Sequence, residues 1–197
     1  MPTTTFSVAA SGDDGYVGKA QTVWPPTATT ETITDATIVD VRKHVDSGGS
    51  YRNRIGLIRW DTSALADTTI LSAVFRFKGS SIIDADGRNF DGEYYASSNW
   101  PIDVEGDYTL DVGTGAFTVD ITTLTQGADN DIPLTNPDAN ISKSGYTGLR
   151  LGISTGQPAG YNVVALDSFD AGANVPRLVV NWTTMSSARG QGSVLSY

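Results

Sequence analysis

The sequence contains no cysteine and a single histidine, His44. Without cysteine the chain has no disulfide bridges, thiol nucleophiles or thiolate metal sites. One histidine cannot supply the ligands of a zinc site. His44 lies on the predicted outward, solvated face of a strand, and no Gly-x-Ser-x-Gly elbow accompanies it. Paired Asp residues could in principle hydrolyse glycosides, but they occur in turn contexts. We therefore expect that the protein is not an enzyme.

Basic residues and long apolar runs are also scarce. Lys and Arg number 13 against 22 Asp and Glu, giving a formal net charge of −9. This charge would repel both a nucleic-acid backbone and an anionic membrane surface. No window reaches the roughly 20 apolar residues that span a bilayer, and residues 1–8 lack the pattern of an export signal. We expect neither nucleic acid nor a membrane as a partner.

Strong helix formers are depleted as well. Glu occurs only at positions 31, 93 and 105, whereas the chain has 21 Gly and many Thr, Ser and Asp residues. These residues favour strands and turns. At 197 residues the chain is long enough for one sandwich-sized domain. The composition predicts an all-β fold.

Alternation of apolar residues predicts where the strands lie. Ile58 and Trp60 share one face of a strand, and Phe75 and Phe77 share one face of the next. Similar segments along the chain predict about eight to ten short strands, which is typical of a sandwich. Residues 120–126 could form a helical turn capped by Asp120 or Thr122, and 127–144 is expected to be irregular. The predicted core comprises Ile58, Trp60, Phe75, Phe77, Phe117, Val119, Leu149, Leu151, Leu178, Val180 and Trp182.

Four motifs in order resemble one known family. They are Asp14-Gly15-Tyr16; 54–65 with 73–77; 118–124 with 148–151; and Phe169 followed by 175–180. The residues and the order of these motifs are similar to those of the DNRLRE family of β-sandwich domains, which are relatives of carbohydrate-binding modules. The resemblance implies an antiparallel two-sheet sandwich of jelly-roll type over residues 1–183. Residues 184–197 are expected to form a flexible tail that could anchor a partner subunit.

Exposed aromatic residues are candidates for sugar binding. Trp24 and Trp100 lie in predicted loops, and Tyr94, Tyr95 or Tyr161 are candidates for their neighbours. Exposed aromatic rings stack on the apolar face of a pyranose. The alternative is that these side chains close the ends of the sandwich.

Clustered acids between residues 84 and 93 suggest a calcium site. Asp84, Asp86 and Asp91 are the candidate ligands, because hard cations prefer several oxygen ligands on a tight loop. The spacing does not fit an EF-hand, and hairpin turn residues are the alternative. No other cofactor is expected.

Basic residues concentrate between positions 42 and 59. They are Arg42, Lys43, Arg52, Arg54 and Arg59. One interpretation is cross-strand pairing with Asp40, Asp46 and Asp61, and the other is a docking face for an acidic partner, for which Arg42, Arg52 and Arg54 are the candidates. The apolar end of the tail is a second candidate for partner binding. Its side chains are Val194, Leu195 and Tyr197.

Two functions remain open at this level. The first is a virion structural protein of a tailed phage, which decorates the capsid or forms part of a head or tail fibre. It would be a homo-oligomer such as a trimer, in contact with the major capsid protein or another virion component. The alternative is an extracellular carbohydrate-binding module for cell-surface or plant polysaccharide. Both rest on analogy at the level of the fold.

Overall fold

The computed structural model describes residues 1–27, 29–33, 36–95, 100, 102, 114–154 and 156–184. This part of the chain contains twelve strands and a short helix, α1 (Pro137–Asn140). The strands are β1 (Thr3–Ser7), β2 (Asp14–Gln21), β3 (Thr29–Ile33), β4 (Ile38–Val45), β5 (Tyr51–Asp61), β6 (Thr68–Asp84), β7 (Asn89–Tyr95), β8 (Gly115–Asp120), β9 (Asp129–Pro133), β10 (Tyr146–Ile153), β11 (Tyr161–Asp167) and β12 (Arg177–Thr184). Of the predicted tail, residues 184–197, Thr184 is the last residue of β12, and residues 185–197 lie outside the described residues.

Two antiparallel sheets pack face to face. Hydrogen-bonded neighbours follow the order β1-β12-β6-β11-β4-β5-β10-β7-β8, with β2 and β3 attached through β5 and β9 through β6. This row of strands folds back on itself to form the two layers. Strand β6 pairs with β12, β11 and β9 in one layer, and its side chains pack against β5 and β7 in the other. The ring centroids of Trp60 and Phe75 are 5.9 Å apart, and those of Phe77 and Phe90 are 5.8 Å apart. The predicted all-β sandwich is confirmed.

A single cluster of apolar side chains forms the main core, as predicted. Nine of the eleven predicted core residues are buried in it, and the other two, Val119 and Trp182, are partly buried against it. Trp60 is 1% exposed, and its indole nitrogen donates to the carbonyl oxygen of Pro176 at 3.0 Å. This bond ties β5 to the segment that enters β12.

The segment from 120 to 144 is partly as expected. Ile121–Thr123 form a single turn of 3₁₀ helix, and the carboxylate of Asp120 accepts from the Thr122 amide at 2.8 Å. The predicted helical turn and its cap are therefore confirmed. The expectation that 127–144 is irregular is wrong, because β9 pairs with β6 and α1 follows it.

A tight turn joins β4 to β5 and sets their register. Asp46 accepts from the amide of Ser50 at 2.9 Å, and Gly49 has a φ of +78°, a conformation that favours glycine. Val45 consequently pairs with Tyr51. This hairpin, the β4–β5 hairpin, carries most of the side chains considered below.

The strands of the hairpin separate after the pair Arg42–Arg54. Since β2 occupies one edge of β5 along 51–58, β4 and β10 must share the other edge, and β10 takes it over from Gly56 onward. A Cβ at Gly56 would lie 2.7 Å from the Val39 side chain, so the two sheets touch there. We call the gap between the diverging β4 and β10 the fork.

Asp14 joins the first resemblance motif to the last. Its Oδ2 accepts from the amide of Phe169 at 2.8 Å, while Oδ1 is buried without a hydrogen-bond partner. Burial raises the pKa of Asp14 to about 7, and the negative charges of Asp170 and Asp13 act in the same direction. The folded protein therefore holds this proton where an unfolded chain has lost it.

The stability of the protein should depend on this proton. Folding raises the pKa of Asp14 from 3.8 to about 7, so its contribution to stability is lost as pH rises from about 4 to about 7. The loss can reach about 4 kcal/mol, from the usual value per pKa unit. Asp14→Asn keeps an acceptor for Phe169 and should be more stable than wild type at pH 8 but not at pH 4. Urea unfolding at both pH values measures this, and an equal difference at the two would contradict it.

The core prediction can be tested at Phe75, which is fully buried. Phe75→Ala should lower the free energy of unfolding by about 3–5 kcal/mol, because it removes apolar burial and leaves a cavity. Leu71→Ala on the same strand is the control, since Leu71 is 47% exposed. Denaturant unfolding should show a change below about 0.5 kcal/mol for the control. Equal changes for both variants would contradict the position of the core.

Candidate functional site

A cleft opens on the surface of the protein at the fork. Its volume is about 210 Å³, and side chains from β4, β5, β7 and β10 converge on it. The lining residues are Lys43, Asn53, Ile55, Asp91, Glu93, Arg150, Gly152, Ile153 and Ser154. The cleft exists because β4 and β10 diverge, so it is a consequence of the sheet topology.

Lys43 spans the fork. Its Nζ donates to the carbonyl oxygen of Ser154 at 2.7 Å, and Arg88 donates to the same oxygen at 3.2 Å. Burial lowers the pKa of Lys43 to about 8, and the charge of Arg88 adds to this shift. A lysine of this kind is held in one position and exchanges its proton near neutral pH.

The opposite wall of the cleft carries a salt bridge. Arg150 Nη1 lies 3.1 Å from Glu93 Oε2, and both side chains are half-buried. With Asp91 and Lys43, the lining holds two cations and two carboxylates, and Asn53 adds an amide. The cleft therefore offers many donors and acceptors with no net charge, which suits a neutral polar ligand.

An aromatic pair lies beside Lys43. The Trp24 ring centroid is 5.7 Å from Lys43 Nζ and 5.8 Å from the centroid of Tyr51. The hydroxyl of Tyr51 accepts from Gln157 Nε2, which fixes the tyrosine. Trp24 is half-buried. This burial is what is expected of a ring that has one face against the protein and the other toward solvent. Of the predicted sugar-binding aromatics, this one lies next to the cleft.

Trp100 belongs to a second apolar cluster on the outer side of β2 and β5. The buried members of this outer cluster are Val17, Ile55, Leu57, Tyr95 and Ile102, and Trp100 packs against them. The guanidinium of Arg59 lies 4.6 Å from the ring of Trp100 and 4.4 Å from that of Tyr146. Ile55 also lines the cleft, so the outer cluster adjoins it.

Three predicted platform residues are not beside the cleft. Tyr94 is 7% exposed and donates to the carbonyl oxygen of Thr135, and burial raises its pKa to about 12. Tyr95 is 5% exposed in the outer cluster. The expectation that these two residues could stack on a sugar is wrong, because neither ring reaches the surface. Tyr161 is 37% exposed, but it contacts His44 on the other face of the hairpin.

The predicted calcium ligands have other partners. Asp84 accepts from the amides of Asp86 and Arg88, and Asp86 accepts from Asn162 and forms an ion pair with Arg88. Asp91 lines the cleft instead. Among the described residues, no three acidic or histidine side chains are placed to hold a metal ion. The alternative interpretation, that Asp84 and Asp86 are turn residues, fits these contacts. The described residues contain no ligand cluster that would support the calcium prediction.

Predicted partner-binding arginines pair with acids of the hairpin. Arg42 and Arg54 both bind the carboxylate of Asp40, and Arg52 lies 3.8 Å from Asp46. Asp61 does not have the expected arginine partner among the described contacts. Its Oδ1 accepts a hydrogen bond from the amide of Ser63 instead. His44, expected to be solvated, is only 4% exposed because Tyr161 packs on it at 4.7 Å. Val194, Leu195 and Tyr197 lie outside the described residues.

The convergence of the polar cleft residues was not predicted from the sequence, although Asp91 was among the predicted calcium ligands. Tyr51, Asn53 and Ile55 share one face of β5, and this period-two pattern is visible in the sequence. Asp91 and Glu93 share a face of β7 in the same way. Their convergence depends on the fork, which no local pattern indicates.

Comparisons with known proteins found weak similarities to solved structures, and no conclusion is drawn from them. Neither a protein-family model nor a curated protein matches the chain. A solved structure described as the "xylan-binding module CBM15" is 13% identical over 91% of this chain and 95% of that chain, with a TM-score of 0.44. A structure described under the "promiscuous specificity" of carbohydrate-binding modules "from the beta-sandwich super family" is 12% identical, with a TM-score of 0.36. The match covers 87% of this chain and 57% of that one.

No helix in the described ranges is long and apolar enough to cross a membrane.

The environment of Lys43 makes a direct prediction. The sequence has four lysines, at positions 19, 43, 78 and 143, so NMR signals from their side chains can be assigned by single Lys→Arg substitutions. The Lys43 signal should titrate at about pH 8, because burial disfavours its charge. A Lys43 signal that titrates near pH 10.5 would show that the amine is solvated and does not span the fork.

Proposed function

We propose that the protein binds carbohydrate without modifying it, through the cleft at the fork. The observation that carries this proposal is the juxtaposition of a charge-balanced polar cleft with the Trp24–Tyr51 pair. A pyranose presents an apolar face, which stacks on an aromatic ring, and a rim of hydroxyls, which need donors and acceptors. Both requirements are met within one site.

The polar side chains of the cleft suit hydroxyl recognition. Lys43 and Arg150 are held by Ser154 and Glu93, so each can donate further without a large loss of conformational freedom. Carboxylates such as Asp91 accept from sugar hydroxyls. Because the cleft has no net charge, we expect neutral glycans to be preferred over acidic ones at this site.

Binding is favoured over hydrolysis by the state of the carboxylates. A glycosidase needs a carboxylic acid held protonated in apolar surroundings. Glu93 is instead engaged by Arg150, and Asp91 acts electrostatically on Lys43. This arrangement supports a module that holds a glycan in place.

The aromatic pair provides the test. Trp24→Ala should weaken binding of a neutral polysaccharide by about five- to thirtyfold, since a stacked ring contributes about 1–2 kcal/mol. Affinity electrophoresis against neutral plant and bacterial polysaccharides would first find a ligand, and calorimetry would then compare the variants. Unfolding should be nearly unchanged, because Trp24 is half-buried in a loop.

Tyr161→Ala is the matched aromatic control. Tyr161 is exposed but lies on the other face of the hairpin, so its removal should leave glycan affinity unchanged. If the two variants weakened binding equally, the ligand would not lie in the cleft. If no neutral glycan bound the wild-type protein, the proposed function would be wrong.

The virion role stays a prediction. It depends on the tail, residues 185–197, and on contacts between subunits, and nothing in the described residues bears on either. Deletion of 185–197 should then weaken assembly while the unfolding of the sandwich stays unchanged.

A further inference from the structure

The second face of the β4–β5 hairpin carries a separate group of side chains. Residues alternate between the faces of a strand, so Arg42 and His44 point away from the face of Lys43. Arg42 pairs with Arg54, and His44 pairs with Arg52, across the hairpin. Three guanidiniums and the only histidine of the sequence therefore share one small surface.

Three guanidiniums are concentrated on this face. Asp40 is almost fully buried and binds both Arg42 and Arg54. Arg52 has only a loose contact with Asp46, at 3.8 Å, and its side chain is 41% exposed. These three guanidiniums lie close together on a protein whose net charge is −9. Such a surface attracts anions.

His44 has an unmet hydrogen-bonding group at the same place. It is 4% exposed, and its Nδ1 is buried with no hydrogen-bond partner. The exposed ring of Tyr161 covers the imidazole at 4.7 Å and also lies 5.6 Å from the guanidinium of Arg42. Burial lowers the pKa of His44 to about 4, and Arg42 and Arg52 contribute, so the imidazole is neutral at pH 7.

We propose that Arg42, Arg52 and His44 form a binding site for an oxyanion, such as the carboxylate, sulfate or phosphate group of an acidic ligand. Planar guanidiniums bind such groups with paired hydrogen bonds. Tyr161 is the side chain that moves aside, because it covers His44 and is exposed to solvent. An anion bound there accepts a hydrogen bond from Nδ1, when Nδ1 carries the imidazole proton, and so supplies the partner that this atom lacks.

This site is independent of the cleft. Lys43 and Asn53 face the cleft, whereas Arg42 and His44 face the oxyanion site. The two sites therefore lie on opposite faces of the same hairpin. Either site could bind its ligand if the other did not. The proposal therefore does not rest on carbohydrate binding.

The single histidine makes the test direct. Sodium sulfate is added to the full chain at constant ionic strength set with sodium chloride, and the imidazole signals are followed by NMR. We expect saturable shifts, and a rise in the His44 pKa of about one unit, because a nearby anion favours the charged imidazole. Sodium acetate in a parallel titration shows whether a carboxylate binds more tightly than sulfate.

Two Arg→Gln variants complete the experiment. Arg52→Gln should weaken sulfate binding at least tenfold. Arg76→Gln removes the same charge from an exposed pair with Asp131 elsewhere and should leave binding unchanged. The proposal is overturned if sulfate gives no saturable shift beyond chloride, or if the two variants weaken binding equally, since that would show only the effect of net charge.

Discussion

The contact of Gly56 with Val39 and Val41 is the constraint on which the rest of the structure depends. Since a Cβ at Gly56 would meet both valine side chains below 3 Å, glycine alone lets β4 cross to the opposite sheet there. Once β4 has left, β10 pairs with β5, and the gap between them becomes the cleft. The sandwich core and the candidate site therefore have one structural origin.

Buried charge is stabilised by pairing at the hairpin. Asp40 is 1% exposed and would be costly without its two arginines, because an isolated buried carboxylate is strongly disfavoured. Asp14 is the opposite case. Burial raises the pKa of Asp14 to about 7, and its two acidic neighbours, Asp170 and Asp13, act in the same direction. Asp40 differs from Asp14 in that two arginines contact its carboxylate.

Local alternation predicted the core from sequence, but it could not predict the site. Trp60 and Phe75 were placed correctly because a strand with one buried face has period two. The fork was missed because β5 pairs with three strands, of which β2 and β10 are distant in sequence. Along one edge of β5, moreover, the partner changes from β4 to β10. Tyr94 and Tyr95 look like loop aromatics, and only the packing of the two apolar clusters buries them. The outward direction of His44 was predicted, but not its cover by Tyr161.

The polar side chains Lys43 and Arg150 of the cleft are held in place before any ligand binds. Lys43 and Arg150 lie on strands and are held by hydrogen bonds to Ser154 and Glu93. Groups on paired strands lose little freedom on binding, so more of the contact energy appears as affinity. Trp24 differs, because it follows β2 in a connection and has fewer constraints. Recognition in the cleft should therefore combine rigid polar contacts, which set specificity, with one adjustable ring, which tolerates different sugars.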